Sequence, residues 1–169
     1  MTRILMSDSG SDTAVTIRNA TLADLGALRK LTQETIISIC SSDYDPEQIR
    51  VWSTRIANTA RWTDVLRNQQ VWVAIAQDQI AGYATLTSEN YLDLFYVHMD
   101  FQGRGIARVL MEQVLHAAQN QSHLPVRAHV SKTALGFFLK SGFRKIETQE
   151  VVLDGIGLTN YKMEFSFTT

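Results

Sequence analysis

The residues best suited to chemistry run Tyr96-Val97-His98-Met99-Asp100-Phe101-Gln102-Gly103-Arg104-Gly105-Ile106-Ala107. An apolar, β-prone run from Leu92 to Val97 meets a short turn, then two glycines, then a segment of helical periodicity. Such a junction aims several backbone N–H groups at one spot on the positive end of a helix dipole. An anion is favoured there, most naturally a phosphate. Gly103 and Gly105 are equally compatible with a tight strand-to-helix turn that holds no ligand. A dinucleotide-binding loop fits less well, because Arg108 stands at the third glycine position and no suitable acid follows about 20 residues on. A Walker-type loop is excluded, since no Gly-Lys-Ser/Thr occurs.

The elements that must position this loop follow from periodicity. Ala14 to Arg18 is expected to be a strand. Thr21 with Asp24 then opens a helix that carries Leu22, Leu25, Leu28, Thr32, Ile36 and Ile39 at helical spacing. Asp45-Pro46 starts a second helix through Ile49, Trp52 and Ile56, and a short third one covers Thr63 to Asn68. Val71 to Ala76 and Gln79 to Leu86 flank Gln77-Asp78 as a hairpin, and Tyr91 to His98 is a further strand. A helix from Gly103 to about Asn120 has Ile106, Val109, Leu110, Val114 and Ala117 on one face. Then come a strand over Val126 to Val130 and a helix over Lys132 to Lys140, capped by Ser131 and stopped at Gly142. A final hairpin, Phe143 to Leu153 and Leu158 to Phe167, turns through Asp154-Gly155-Ile156-Gly157.

The order is β-α-α-β-β-β-α-β-α-β-β. The strand–helix–strand unit over residues 91–130 requires two parallel neighbours, and the hairpins on either side are antiparallel. The expected fold is therefore α/β (α+β): one domain over residues 13–169, a mixed and mostly antiparallel sheet around a central parallel unit, with helices on both faces. Met1 to Asp12 is expected to be a disordered lead-in.

Composition narrows the function classes. The chain has 169 residues, 45% hydrophobic and 20% charged, with a net charge of −1. That balance gives no bulk field for nucleic acid or an acidic membrane. The second part is locally basic: Arg104, Arg108, Arg127, Lys132, Lys140, Arg144, Lys145 and Lys162 stand there against five carboxylates. A phosphate-rich ligand would fit this asymmetry, and so would a solvated surface. Cys40 is the sole cysteine, which rules out an internal disulfide and favours a reducing, cytoplasmic setting. No secretory signal or membrane-length apolar run is present. His98, His116, His123 and His129 show no metal-ligand spacing, so no metal is expected.

The Gln-x-x-Gly-x-Ala spacing at 102–107 resembles the acyl-CoA pyrophosphate loop of the GNAT superfamily of N-acetyltransferases. The strand ending Tyr-Val-His and the Ser-x-x-Ala-Leu-x-Phe-Phe-x-x-x-Gly-Phe run at 131–143 resemble further GNAT motifs in family order. The likeness covers roughly Val15 to Phe165. The opening helices, with Ser42 to Gln48 and Trp52, are similar to a bacterial subgroup of small acetyltransferases.

This resemblance implies acetyl-CoA as co-substrate, direct acetyl transfer to a small amine or a protein amino group, and no covalent intermediate. It assigns the pyrophosphate to Gln102, Gly103, Arg104, Gly105, Ile106 and Ala107, and the pantetheine to backbone groups of Phe95, Val97 and Met99, aided by Ser131. The Val97 N–H would polarise the thioester carbonyl. Asp93, four residues earlier and so on the same side by period 2, would be the base, with Glu89 next and His98 third. His98 also suits a role in holding the turn. The family's usual thiolate-protonating tyrosine falls at Phe138, which leaves Tyr161 as a substitute. Tyr44, Trp52, Trp62 and Tyr161 are candidates for the wall of an acceptor pocket between the first helices and the last hairpin. Each of them could equally be core. Phe138 and Ser131 keep a second class open, a catalytically weak acyl-CoA-binding sensor or partner module. The final hairpin could also pair with a copy of itself as a homodimer.

Overall fold

The structure is a computed structural model that describes residues 2–4 and 14–167. Eight strands form one sheet: β1 (Thr2–Ile4), β2 (Val15–Asn19), β3 (Gln70–Ala76), β4 (Gln79–Leu86), β5 (Tyr91–Val97), β6 (Val126–Ser131), β7 (Arg144–Leu153) and β8 (Ile156–Phe165). Their order across the sheet is β1-β2-β3-β4-β5-β6-β8-β7. Every pairing is antiparallel except β5 with β6. Thr2–Ile4, expected as part of a disordered lead-in, pairs with Val15–Ile17 instead. The rest of that segment lies outside the described residues.

The helices are α1 (Leu25–Ser38), α2 (Pro46–Arg55), α3 (Thr59–Asn68), α4 (Ile106–Gln121) and α5 (Leu135–Lys140). They cover both faces. Ile106, Val109, Leu110, Met111 and Val114 of α4 pack on one face with Leu92, Val97, Val126, Ala128 and Val130, and Phe138 of α5 joins them. Leu28, Leu31 and Ile36 of α1, Ile49 and Val51 of α2 and Trp62 and Val65 of α3 pack on the other, against Val73, Tyr83 and Leu94. A Cβ on Gly82 would lie 2.9 Å from the Tyr96 carbonyl and 3.1 Å from Ile106 and Leu110. Glycine there lets α4 settle onto β4.

Several boundaries differ from expectation, each for a local reason. The third helix begins at Thr59, because the Asn58 side chain accepts from the N–H groups of Ala60 and Arg61. The last helix is shorter at its start. Ser131 Oγ accepts from Ala134 N–H at 3.2 Å, closing a turn over 132–134 before Leu135 begins the helix. The final hairpin turns through two residues, not four. Asp154 and Gly155 have φ of 49° and 81°, the paired left-handed conformation of a two-residue hairpin turn.

Candidate active site

Two defects in the sheet make the site. The first is a bulge in β5. Leu86 stands opposite Leu92 and Ala84 opposite Phe95, so two steps along β4 match three along β5. The Leu94 N–H, shifted off the ladder, donates to Thr85 Oγ1 at 3.0 Å. The extra residue reverses the alternation of side chains. Leu92, Phe95 and Val97 face the α4 core, while Leu94 and Tyr96 face α1–α3.

The second defect is a parting of strands. The parallel β5–β6 register contains only Tyr91 with Arg127 and Leu92 with Ala128. Beyond Leu92 the strands no longer pair. His98 N–H donates to the Ala81 carbonyl at 2.8 Å on the β4 side. Antiparallel alternation then turns the intervening polar groups of Phe95 and Val97 away from β4 and toward the gap. The Val97 carbonyl is taken internally, by Gln102 Nε2 at 2.8 Å and Thr35 Oγ1 at 3.4 Å.

The gap opens into a cleft of about 720 Å³, walled by Tyr44, Trp52, Arg55, Arg61, Tyr91, Asp93, Tyr96, His129, Ser131, Leu158 and Asn160 among others. A narrower pocket of about 80 Å³ continues it through the gap to Phe95, Ala134 and Phe138. Trp52, Asp93, Tyr96, His129 and Ser131 line both.

The glycine loop lies past the end of β5. His98 Nδ1 accepts from Asp100 N–H at 3.1 Å and caps a 3₁₀ turn over Met99–Phe101, so His98 serves the turn. Met99 belongs to that turn and cannot extend the strand, contrary to the role expected for it. Gly103 and Gly105 have φ of 72° and 76°. This left-handed conformation is the visible reason for glycine at both places. Gly105 caps α4, and among the described residues the N–H groups of Gly105, Ile106 and Ala107 have no hydrogen-bond partner. Arg104 is exposed, with its guanidinium 5.2 Å from the Phe101 ring centre.

The candidate residues separate accordingly. Asp93 and Val97 do not share a side of the strand, as period 2 implied, because the bulge intervenes. Asp93 Oδ1 accepts from Arg61 Nη2 and Oδ2 from Gln69 Nε2, each at 2.9 Å. Glu89 sits in the exposed turn between β4 and β5 and lines neither cavity. Tyr161 lies opposite Val130, packed against the α4-side core with Lys145 Nζ over its ring, and also lines neither cavity. Trp62 is core: 1% exposed, with its indole N–H given to the Ile56 carbonyl.

Tyr44 and Trp52 do wall the cleft, with ring centres 5.3 Å apart. Tyr44 Oη donates to the Thr159 carbonyl at 2.7 Å and accepts from Lys132 N–H at 2.9 Å. Burial pushes its phenol up to about 12. Phe138, 3% exposed, packs edge-on against Phe95 and Phe143 at 5.8 and 4.9 Å.

Sequence reasoning missed Tyr96 and His129. Tyr96 stacks on Tyr83 at 5.9 Å and lines both cavities. Burial raises its phenol well above the ordinary tyrosine value, with the Cys40 thiol adding to the effect and Trp52 opposing it. On a strand of strict alternation Tyr96 would have faced the same way as Leu92. Only the bulge, which had no sequence signal, aims it into the cleft.

Comparison with known proteins agrees with this geometry. The acetyltransferase (GNAT) domain family matches residues 40–165. The chain is 30% identical over 151 residues to the uncharacterized N-acetyltransferase YafP of Escherichia coli (strain K12), which covers 89% of this chain and 95% of that protein. Over 91 residues it is 33% identical to the peptidyl-lysine N-acetyltransferase YjaB of Salmonella typhimurium, covering 53% and 60%. The fold superposes on a GCN5-related N-acetyltransferase from Rhodopseudomonas palustris with a TM-score of 0.86 and 25% identity, over 90% of this chain and 95% of the other. It also superposes on PaiA N-acetyltransferase from Thermoplasma acidophilum in complex with coenzyme A, with a TM-score of 0.75 at 18% identity over 90% and 99%. Among the described residues no helix is long and apolar enough to cross a membrane. The chain belongs to the GNAT acetyltransferase family and is an acyltransferase enzyme.

Proposed function

We propose that this protein moves an acetyl group from acetyl-CoA to a primary amine by direct attack within a ternary complex. One observation carries the reading. Unpartnered amides at the start of α4 stand at the end of β5, whose free edge lines a gap leading into an aromatic cleft. The amides of Gly105, Ile106 and Ala107 suit a pyrophosphate, and Gly103 leaves open space beside them. The outward polar groups of Phe95 and the Val97 N–H suit the amides of a pantetheine arm laid along β5 as an added strand. Gln102 acts indirectly, by holding the Val97 carbonyl and fixing the loop to the strand. Ser131 acts in the same way, by closing the turn at the mouth of the gap.

The acceptor enters from the cleft side, between α2 and the β7–β8 hairpin, where Tyr44 and Trp52 give it an aromatic wall. The acetyl-CoA structure of YncA from Salmonella typhimurium, a fold neighbour, supports this co-substrate. A small amine and a protein amino group remain the two acceptor classes. The β7 edge, with Ile146 and Val152 58% and 62% exposed, suits a homodimer. A monomer mass in light scattering at micromolar concentration removes that part of the reading.

Thermal unfolding with acetyl-CoA, CoA, NAD and ATP in parallel tests the co-substrate. A ligand at about 100 times its Kd stabilises by roughly 2.7 kcal/mol. Acetyl-CoA and CoA alone are expected to shift the midpoint, and a panel of primary amines then to release thiol from acetyl-CoA. Binding without release would favour an acyl-CoA-binding module. No shift with either ligand would overturn the co-substrate.

A further inference from the structure

Three of the residues that line both cavities have ionisable side chains: Asp93, Tyr96 and His129. Asp93 is engaged on both oxygens, by Arg61 from α3 and by Gln69 at the α3–β3 junction. It ties α3 to the bulge, with one protein donor held on each oxygen. Tyr96, with its phenol raised by burial, carries its proton at neutral pH and cannot accept another.

His129 differs from both. Alternation along β6 buries Val126, Ala128 and Val130 and leaves Arg127, His129 and Ser131 on the opposite face. Its imidazole is exposed to the cleft, edge-on to the Tyr91 ring at 5.6 Å. Among the described residues it has no hydrogen-bond or ion-pair partner. The groups that face it come from four elements. Lys162 of β8 stands directly across the ladder and is itself held by Glu147 of β7 at 2.7 Å. Tyr91 and Asp93 face it from β5, with Arg61 of α3 beyond Asp93. Burial first and Lys162 second hold the imidazole below its ordinary value, against a weaker opposing pull from Asp93. It is thus unprotonated at neutral pH.

We propose that His129 is the general base of the transfer, taking a proton from the acceptor ammonium where the cleft meets the β5–β6 gap. The inference rests on the acetyltransferase reading above. One ammonium N–H bond breaks and its proton goes to an imidazole nitrogen. The freed lone pair attacks the thioester carbonyl carbon, so that a C–N bond forms as the C–S bond breaks. Sulfur leaves with the bonding pair and takes up the second nitrogen proton as the thiol. The products are the amide, CoA thiol and one proton on His129 for solvent to remove.

The test follows thiol release from acetyl-CoA with the best amine of a primary-amine panel, from pH 5 to 9.5, for wild type, His129→Gln and Asp93→Asn. Calorimetry of CoA binding accompanies each protein. Positioned bases contribute about 10²–10⁴-fold, so His129→Gln is expected to lose that much kcat/KM at pH 7 with CoA affinity unchanged. Its acid limb gives way to activity that rises with free amine. Imidazole added to His129→Ala restores part of the rate, while Asp93→Asn keeps an acid limb that moves to lower pH, because the carboxylate no longer favours the imidazolium. Wild-type kcat with an intact limb in His129→Gln overturns the assignment, as does loss of the limb in Asp93→Asn alone. NMR of the His129 ring tests its place without turnover: ring resonances that shift on adding acetyl-CoA and the amine support the base, and a ring that responds to neither overturns it. Loss of CoA binding by wild type would instead sink the acetyltransferase reading itself.

Discussion

Asp93 and Val97, four residues apart on one strand, face opposite sides of the sheet. Val97 packs with α4, while Asp93 reaches Arg61 and Gln69 on the α3 side. One added residue between Leu92 and Phe95 accounts for the reversal, and Thr85 stabilises it by accepting the displaced Leu94 N–H. The bulge both ends the β5–β6 pairing and turns Tyr96 into the cleft. The site exists because the strand is irregular there.

Replacing Thr85 by valine tests this dependence. The residue is fully buried. The change leaves the Leu94 N–H without its acceptor, at a cost of about 1–3 kcal/mol. Urea unfolding is expected to show that loss, with weaker CoA binding beside it. A variant as stable as wild type, with CoA affinity retained, means that the bulge holds itself without the hydroxyl.

The glycine loop makes a separable demand. Alanine at Gly105 must adopt a φ near 76°, which costs an L-residue roughly 1–2 kcal/mol. The strained residue itself carries one of the amides that await an anion. The expected result is a modest fall in unfolding midpoint and a larger fall in the midpoint shift that CoA produces. An unchanged CoA shift removes the pyrophosphate from this loop.

Most elements and both layers were legible in the sequence, because period 2, period 3.6 and capping residues report local preference. Asp45 with Pro46 shows this at a helix start, where the capping contacts form. At Thr21 the Asp24 carboxylate accepts the Thr21 N–H, but the threonine side chain accepts no cap bond and a 3₁₀ turn over Leu22–Asp24 precedes α1. The glycine loop was legible for a similar reason, since φ above zero at Gly103 and Gly105 restricts the residue type. The cleft was not. That Asp93 and Tyr96 both face it depends on the bulge, which answers to a hydroxyl on the neighbouring strand. His129 was hidden because its meaning comes from Lys162 across the ladder and from the missing β5 partner. Both are contacts between residues distant in the chain.

Phe138→Tyr asks whether the leaving thiolate needs a proton donor. Phe138 lines the narrow end of the gap, packed on Phe95 and Phe143. A tyrosine there puts a hydroxyl near the end of the pantetheine path. The expected outcome is a higher kcat together with a lower unfolding midpoint, because part of the new hydroxyl is buried. An unchanged kcat shows that the thiol leaves without assistance.

Tyr44→Phe combines stability with pH. The hydroxyl joins the Thr159 carbonyl of β8 to the Lys132 N–H after β6, and it anchors the segment before α2 to the far wall of the cleft. Its removal orphans two backbone groups, for a loss of about 1–3 kcal/mol at neutral pH. In the folded protein burial pushes the phenol up to about 12, against about 10 when unfolded. A raised acid favours the neutral form in the fold. That contribution is therefore complete below pH 10 and is lost as pH rises through the folded value. Urea midpoints of wild type and variant should differ by a constant amount from pH 7 to about 9.5 and converge between 10 and 12. A gap that stays constant through pH 12 would show that the hydroxyl is not buried in solution, and that the cleft wall it holds is open.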